Sequence, residues 1–227
     1  MSLPLGAEVQ PLSAERPEPV CLEGRYVRIE PLDHRAHGAA LWEATGGAKH
    51  ADLWTYLSDG PYADRASFEL ALKNKAASQD PLFFAILDLR SGLAAGYASY
   101  LRIEPQHRSM EVGSILYGPA LQRTAGATEA MFLMARHAFE DLRFRRYEWK
   151  CNALHSRSRQ AALRLGFRFE GIFRQHMIVK GRNRDTAWYS MLDSEWPSSK
   201  TALECWLDPA NFDAVGRQKK KLSCARQ

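Results

Sequence analysis

The segment with the most chemical content runs from Glu111 to Ala130, EVGSILYGPALQRTAGATEA. A strand-like run ends at Tyr117, Gly118-Pro119 turns the chain, and the small-residue loop Arg123-Thr124-Ala125-Gly126-Ala127 opens directly into a helical pattern. Small side chains let a polyanion reach main-chain N–H groups that have no intrahelical partner, and the helix dipole adds to the attraction. The loop therefore suits a pyrophosphate. From these residues alone a plain tight turn serves as well, because small residues before a helix are ordinary. The four cysteines, Cys21, Cys151, Cys205 and Cys224, are scattered, with no Cys-x-x-Cys pair and no histidine cluster at metal spacing. Neither a disulfide framework nor a metal site is expected.

The elements that must position this loop follow from periodicity. Tyr26, Val27 and Ile29 make a first strand, residues 34–45 a helix ended by Gly46-Gly47, and Ala63 to about Ser78 a second helix. Three strands follow, LFFAILDL, GYASYLRI and MEVGSILY, as an antiparallel meander. In the long helix after the loop, Ala127, Met131, Met134, Ala138 and Leu142 recur at spacings of three and four and mark one apolar face. The strand RYEWKC, a short helix from about Ser156 to Leu165, and the strand runs FRFEGIFRQHMIV and DTAWYSML complete the pattern. A strand, a helical crossover and another strand require parallel neighbours, so MEVGSILY and RYEWKC are expected to pair in parallel and to part toward one end. The fold class is α/β of the α+β kind: a mixed, mainly antiparallel seven-stranded sheet with helices on both faces.

Three segments are expected: an extended arm over 1–21, rich in Pro, Glu, Ser and Ala; the main domain over 22–196; and a C-terminal helix with a basic tail over 197–227, where Trp206 and Leu207 dock and the last residues fray. At 227 residues with 45% hydrophobic content the chain can bury a sizeable core. No apolar run approaches the roughly 18 residues that cross a bilayer, and the N-terminus lacks a signal-peptide stretch, so a soluble, cytoplasmic protein is expected. The net charge of +5 suits nucleic acid or a ligand with several phosphates. No recognised nucleic-acid motif accompanies it, so nucleic acid is set aside.

Gln122, Arg123, Thr124, Ala125, Gly126 and Ala127 resemble the coenzyme A motif [QR]-x-x-G-x-[GA] of the GNAT acetyltransferases, and Thr128-Glu129-Ala130 matches the Thr-Glu-Ala that commonly follows. Ala125 stands where the motif has its central glycine. Downstream, NALHSRSRQAALRLGF from Asn152 is similar to the family's N-x-x-S-x-x-x-x-x-x-x-G-F segment, with Ser158 eight residues before Gly166 and His155 in the usual Asn place. The order of elements from Leu22 to Met191 follows the family too, and within it the chain looks most like the RimJ/RimL-type branch, which acetylates ribosomal-protein N-termini and includes many members with other substrates.

The resemblance implies direct transfer of an acetyl group from acetyl-CoA, as co-substrate, to a primary amine on a protein N-terminus or a small molecule. It also implies a site for each part of that reaction. Gln122 to Thr128, with Asn152 and Ser158, would hold the coenzyme. Glu111 would be the base, with His176 its rival, and the plainer alternatives are a carboxylate paired with a neighbouring arginine and a surface histidine. Ser158 would meet the leaving sulfur or the pantetheine arm, or simply cap its helix; the position where relatives carry a tyrosine acid is Ala161. Main-chain N–H groups of Ile115 or Leu116 would receive the oxyanion. Trp54, Tyr56 and Tyr62 would line the acceptor site, unless they merely pin a loop to the core. Arg174, Arg182 and Arg184 would attract an acidic acceptor or be a solvated strand end. A monomer or homodimer fits, and a catalytically silent acyl-CoA-binding module is the competing reading.

Overall fold

The computed structural model describes residues 3–223. Alternating apolar residues build β1 (Leu22–Glu23), β2 (Val27–Pro31), β3 (Leu82–Asp88), β4 (Leu93–Glu104), β5 (Ser109–Tyr117), β6 (Arg146–Asn152), β7 (Arg168–Val179) and β8 (Arg182–Leu192). These form one sheet in the order β1-β2-β3-β4-β5-β6-β8-β7. Every neighbouring pair is antiparallel except β5 with β6. The sheet has eight strands rather than the expected seven. The addition is Leu22–Glu23, which pairs with Ile29 and Arg28 and is too short to carry a period.

Five helices surround the sheet: α1 (His34–Thr45), α2 (Arg65–Ala76), α3 (Ala125–Arg136), α4 (Ser156–Arg164) and α5 (Trp196–Leu207). Helix α1 starts where Asp33 accepts from Arg35 and Ala36 N–H, and α2 where Asp64 accepts from Ser67 N–H. The long helical segment is α3 followed by a wider π-type turn, His137–Asp141. Pro197, expected as a break, sits in the first turn of α5, where its missing N–H has no partner to lose.

One face of the sheet packs Val27, Phe84, Tyr100, Val112, Tyr147 and Tyr189 against α3, α4 and α5, and Trp196, Leu203, Trp206 and Leu207 of α5 belong to this same core. The other face is covered over β3 and β4 by α1 and α2, through Leu41, Trp54, Phe68 and Leu72. Farther along that second face, β5, β6 and β8 carry Glu111, Glu148, Lys150 and Trp188 instead. The N-terminal arm is extended and anchored: Ala14 is buried in the first core and Glu15 N–H donates to Leu142 O at 3.0 Å. The chain after α5 folds back, with Lys219 N–H and Nζ bonded to the carbonyls of Asn211 and Ala210. Cys224 and the expected frayed end lie outside the described residues. Among the described residues no helix is long and apolar enough to cross a membrane.

Candidate active site

Strands β5 and β6 pair for four rungs, Ser109–Val112 with Arg146–Trp149, and then separate. Beyond that point β5 stays with β4 and β6 with β8, so a wedge opens between Gly113–Tyr117 and Lys150–Asn152. Within the wedge β5 bulges. Tyr97 pairs with Leu116 and Ser99 with Gly113, which leaves Ser114 and Ile115 opposite the single residue Ala98, and Ser114 adopts φ 49°. A bulge puts its extra residue outside the ladder and re-aims the main-chain groups beside it. Ile115 and Leu116, the expected oxyanion donors, are thus at the bulge.

The chain leaves the wedge through Tyr117 and enters α3. Gln122 donates its amide to Tyr117 O at 2.9 Å, and Arg123 takes φ 60° to turn the chain into the helix. Thr124 caps α3: its hydroxyl oxygen accepts from Ala127 N–H at 3.1 Å and donates to Leu121 O at 2.7 Å. The N–H groups of Ala125 and Gly126 precede the first intrahelical bond and stay available to an anion. The missing side chain of Gly126 serves packing, since a Cβ there would lie 2.8 Å from Val27 Cγ1. Thr128 is buried, its hydroxyl accepting from Arg164 of α4 at 3.0 Å. On the β6 side, Asn152 Oδ1 accepts from Leu154 N–H at 2.9 Å. Ser158 Oγ accepts from Trp149 Nε1 at 3.0 Å, and its own proton is free to reach the Cys151 sulfur, whose pKa burial raises and this contact lowers.

Glu111 points to the sheet's second face, just before the wedge, and is 4% exposed. Arg102 of β4 lies 2.9 Å from its carboxylate and Lys150 of β6 3.2 Å away. The arginine pairing foreseen as the plain alternative is present, yet desolvation outweighs both cations and holds the Glu111 pKa above the ordinary carboxylate range. Any side chain at Gly113 would crowd this carboxylate, with a Cβ 3.0 Å from Oε1. Lys150 is itself nearly fully buried, 2.6 Å from Glu148 and 3.6 Å from the centre of the Trp188 ring. His176 is exposed on a bulge of β7 on the same face, with Nδ1 3.0 Å from Thr186 Oγ1. Partial desolvation, then the charges of Arg102, Arg184 and Lys150, lower its pKa. Both candidate bases therefore face one space.

Three loops meet one another past the ends of β6 and β7. Tyr56 stacks on His155 with ring centres 4.3 Å apart, and Lys180 at the β7–β8 turn donates to Trp54 O at 2.7 Å. Of the three aromatic residues expected to line an acceptor site, Tyr56 stacks on His155, while Trp54 and Tyr62 take the plainer alternative and pin the loop to the core. Trp54 is a core residue at 1% exposure, its indole N–H bound to Thr45 O, and Tyr62 packs on Trp54 while donating to Asp59 at 2.6 Å.

A family model described as an acetyltransferase (GNAT) domain matches residues 28–168. The chain belongs to the GNAT acetyltransferases. It is 50% identical to a GCN5-related N-acetyltransferase from Brucella melitensis, over 94% of this chain and 97% of that one, with a TM-score of 0.92. It is 28% identical over 112 residues to the Bacillus subtilis (strain 168) protein named "Putative ribosomal N-acetyltransferase YdaF". That match spans 49% of this chain and 61% of the relative, less than two thirds of its length. The fold, with 18% identity and a TM-score of 0.65, is also that of RimL, a ribosomal L7/L12 alpha-N-protein acetyltransferase solved with coenzyme A; the match covers 76% of this chain and 98% of that one.

Sequence reading missed several residues of this candidate site: Arg102, Glu148, Lys150 and Trp188. A signal was present in β6, where Arg146, Glu148 and Lys150 alternate with Tyr147, Trp149 and Cys151. Three charges on one face of a central strand, opposite three buried apolar residues, mark a polar site on that face.

Proposed function

We propose that this GNAT chain transfers the acetyl group of acetyl-CoA to a primary amine, on a protein N-terminus or a small molecule, by direct attack within a ternary complex. The observation that carries the reading is the wedge between β5 and β6, with a bulge on one wall and a buried carboxylate at its vertex. The N-terminus of α3, from Gln122 to Thr128, receives the pyrophosphate on its free N–H groups. The open edge of β5 along Ile115 and Leu116 offers main-chain groups to the pantetheine arm, and Asn152 and Ser158 line the opposite wall.

Acetyl-CoA brings an activated acyl carbon in its thioester, and the chain supplies the rest. A bulge N–H at Ile115 or Leu116 faces the developing oxyanion. Glu111 takes the proton of the incoming ammonium, directly or through a water, and His176 is the second group able to do so. Ser158 has a hydroxyl proton to offer the departing sulfur. Tyr56 and His155 form the rim the acceptor passes, and the buried surroundings keep bulk water from competing.

Free-thiol release from acetyl-CoA, followed across N-terminal peptides, polyamines, amino acids and aminoglycosides, tests the reading. Amine-dependent thiol release with an N-acetylated product is the expected result. Coenzyme binding with no turnover of any amine would instead identify a silent acyl-CoA-binding module.

A further inference from the structure

We propose that the amine acceptor carries a carboxylate close to its amine and that Arg184 binds that carboxylate. The inference rests on the acetyl-transfer reading for where the acceptor enters, and it deepens that reading by naming a substrate class.

Arg184 lies on β8, and its even-numbered neighbours Thr186, Trp188 and Ser190 contact His176, Lys150 and Glu170 respectively. By the two-residue alternation of a strand, Arg184 therefore projects to the face that holds Glu111, toward the open end of the wedge. Arg184 is half-buried, and its Nε is wholly buried with no hydrogen-bond partner. The indole Nε1 of Trp188, on the same face of the same strand, is a second buried donor without an acceptor. Buried donors are almost always satisfied, so two unsatisfied ones beside a catalytic carboxylate point to oxygens that arrive with a ligand.

Charge balance argues the same way. Among the described residues this face carries Arg102, Lys150, Arg146 and Arg184, with the exposed Arg182 farther along β8 and Lys180 at the turn beyond it. Three of the first four have carboxylates at hand: Arg102 has Glu111 at 2.9 Å, Lys150 has Glu148 at 2.6 Å and Arg146 has Glu170 at 2.6 Å. Arg184 has no carboxylate within ion-pair distance among the described residues. Arg184 is thus a positive charge without an ion pair on a partly desolvated side chain, where an unpaired charge is costly, whereas Lys180 and Arg182 are exposed. An acceptor arriving as ammonium adds a further positive charge to the same enclosure. An ammonium with no carboxylate of its own would be repelled on entry, whereas one that carries a carboxylate pairs with Arg184 and enters uncharged overall. The planar guanidinium suits a carboxylate better than a lone ammonium would.

The test compares kcat/KM for two matched acceptor pairs with saturating acetyl-CoA: β-alanine against β-alaninamide, and Ala-Glu-Ala amide against Ala-Gln-Ala amide. Wild-type protein should prefer the carboxylate-bearing member of at least one pair by about ten- to a hundredfold. A preference confined to the peptide pair identifies a peptide acceptor, and one confined to the other identifies a small amino acid; either supports the proposal. Arg184→Met should bring the two members to within about twofold of each other, and Arg184→Lys should keep part of the preference. Urea midpoints of both variants confirm that they fold. Equal use of acid and amide by the wild type overturns the proposal. If no amine is turned over, the acetyl-transfer reading fails, and calorimetric titration of the four acceptors into coenzyme A-bound protein then decides the inference. Tighter binding of the acid, lost in Arg184→Met, supports it; charge-independent binding or none overturns it.

Discussion

The carboxylate of Glu129 in α3 accepts hydrogen bonds from the main-chain N–H groups of Arg25, Tyr26 and Val27, the one from Tyr26 at 2.6 Å across 103 positions of sequence. It closes the turn between β1 and β2 and ties that hairpin to α3. The glutamate of the Thr-Glu-Ala run is thus a structural anchor one turn behind the proposed phosphate site. Glu129→Ala leaves three donors without an acceptor, and since hydrogen bonds to a charged group contribute about 1.5–3 kcal/mol each, the loss should be about 3 kcal/mol or more. The midpoint of urea unfolding measures it. Glu129→Gln, which keeps one carbonyl oxygen, should fall between the two.

Gly126 and Val27 form a second contact between the same helix and strand. A methyl group at position 126 would overlap Val27 Cγ1. Gly126→Ala should therefore destabilise the fold by about 1–3 kcal/mol through overpacking. Val27→Ala removes the obstructing methyl, so the double variant should lose less stability than the two single losses added together, and a double-mutant cycle reads the difference. Strictly additive losses would place the strain elsewhere.

Much of this fold is legible in the sequence because its signals are local. Helix α1 spans the residues whose Ala36, Ala39 and Ala40 pattern ends at Gly46-Gly47, and the crossover from SILY to RYEWKC requires the parallel pair whose separation opens the wedge. What escapes is the set of features decided by tertiary contact. The bulge at Ser114 and the turn at Arg123 use positive φ at residues that give no glycine or asparagine signal. The β1 strand is two residues long and exists because Glu129 closes its turn. Trp54, on a loop rich in turn residues, reads equally as a pocket wall or as a pin to the core, and the choice is made by Thr45 O, which satisfies its indole N–H and leaves the ring free to be core. The proposed roles of Gln122 to Thr128 come only from the resemblance, since a small-residue loop before a helix is by itself an ordinary turn.

Lys150 sets the charge balance around the proposed base. Its ammonium and the Arg102 guanidinium both lower the Glu111 pKa, while burial raises it. Removing the lysine charge withdraws one of the two opposing effects, so Glu111 should hold its proton to higher pH. A base works only when deprotonated. Lys150→Met should therefore move the acidic limb of the kcat profile to higher pH and leave coenzyme affinity, proposed to be set at α3, nearly unchanged. A limb that stays in place, in a folded variant, would mean that Glu111 does not titrate in the rate-determining complex.

Which group takes the ammonium proton is decided by variants rather than by the wild-type pH profile. Burial lifts Glu111 above its ordinary value of about 4.3, whereas partial desolvation and the charges of Arg102, Arg184 and Lys150 pull His176 below its ordinary value of about 6.5. The two shifts run toward each other, so an acidic limb between those values fits either base. With Glu111 as base, Glu111→Gln should lower kcat by about a hundred- to ten-thousandfold and abolish the limb, while calorimetry shows acetyl-CoA bound nearly as before. His176→Ala should then keep both rate and limb, because its ring meets only Thr186, Phe173 and Trp188 at the exposed bulge. The reverse result, loss in His176→Ala and retention in Glu111→Gln, assigns the proton to the imidazole and leaves Glu111 as the counter-charge that keeps Arg102 and Lys150 in place. If both variants keep the limb, the titrating group is the amine itself. The limb should then follow the pKa of the acceptor across a series of amines, a dependence that neither side chain can produce.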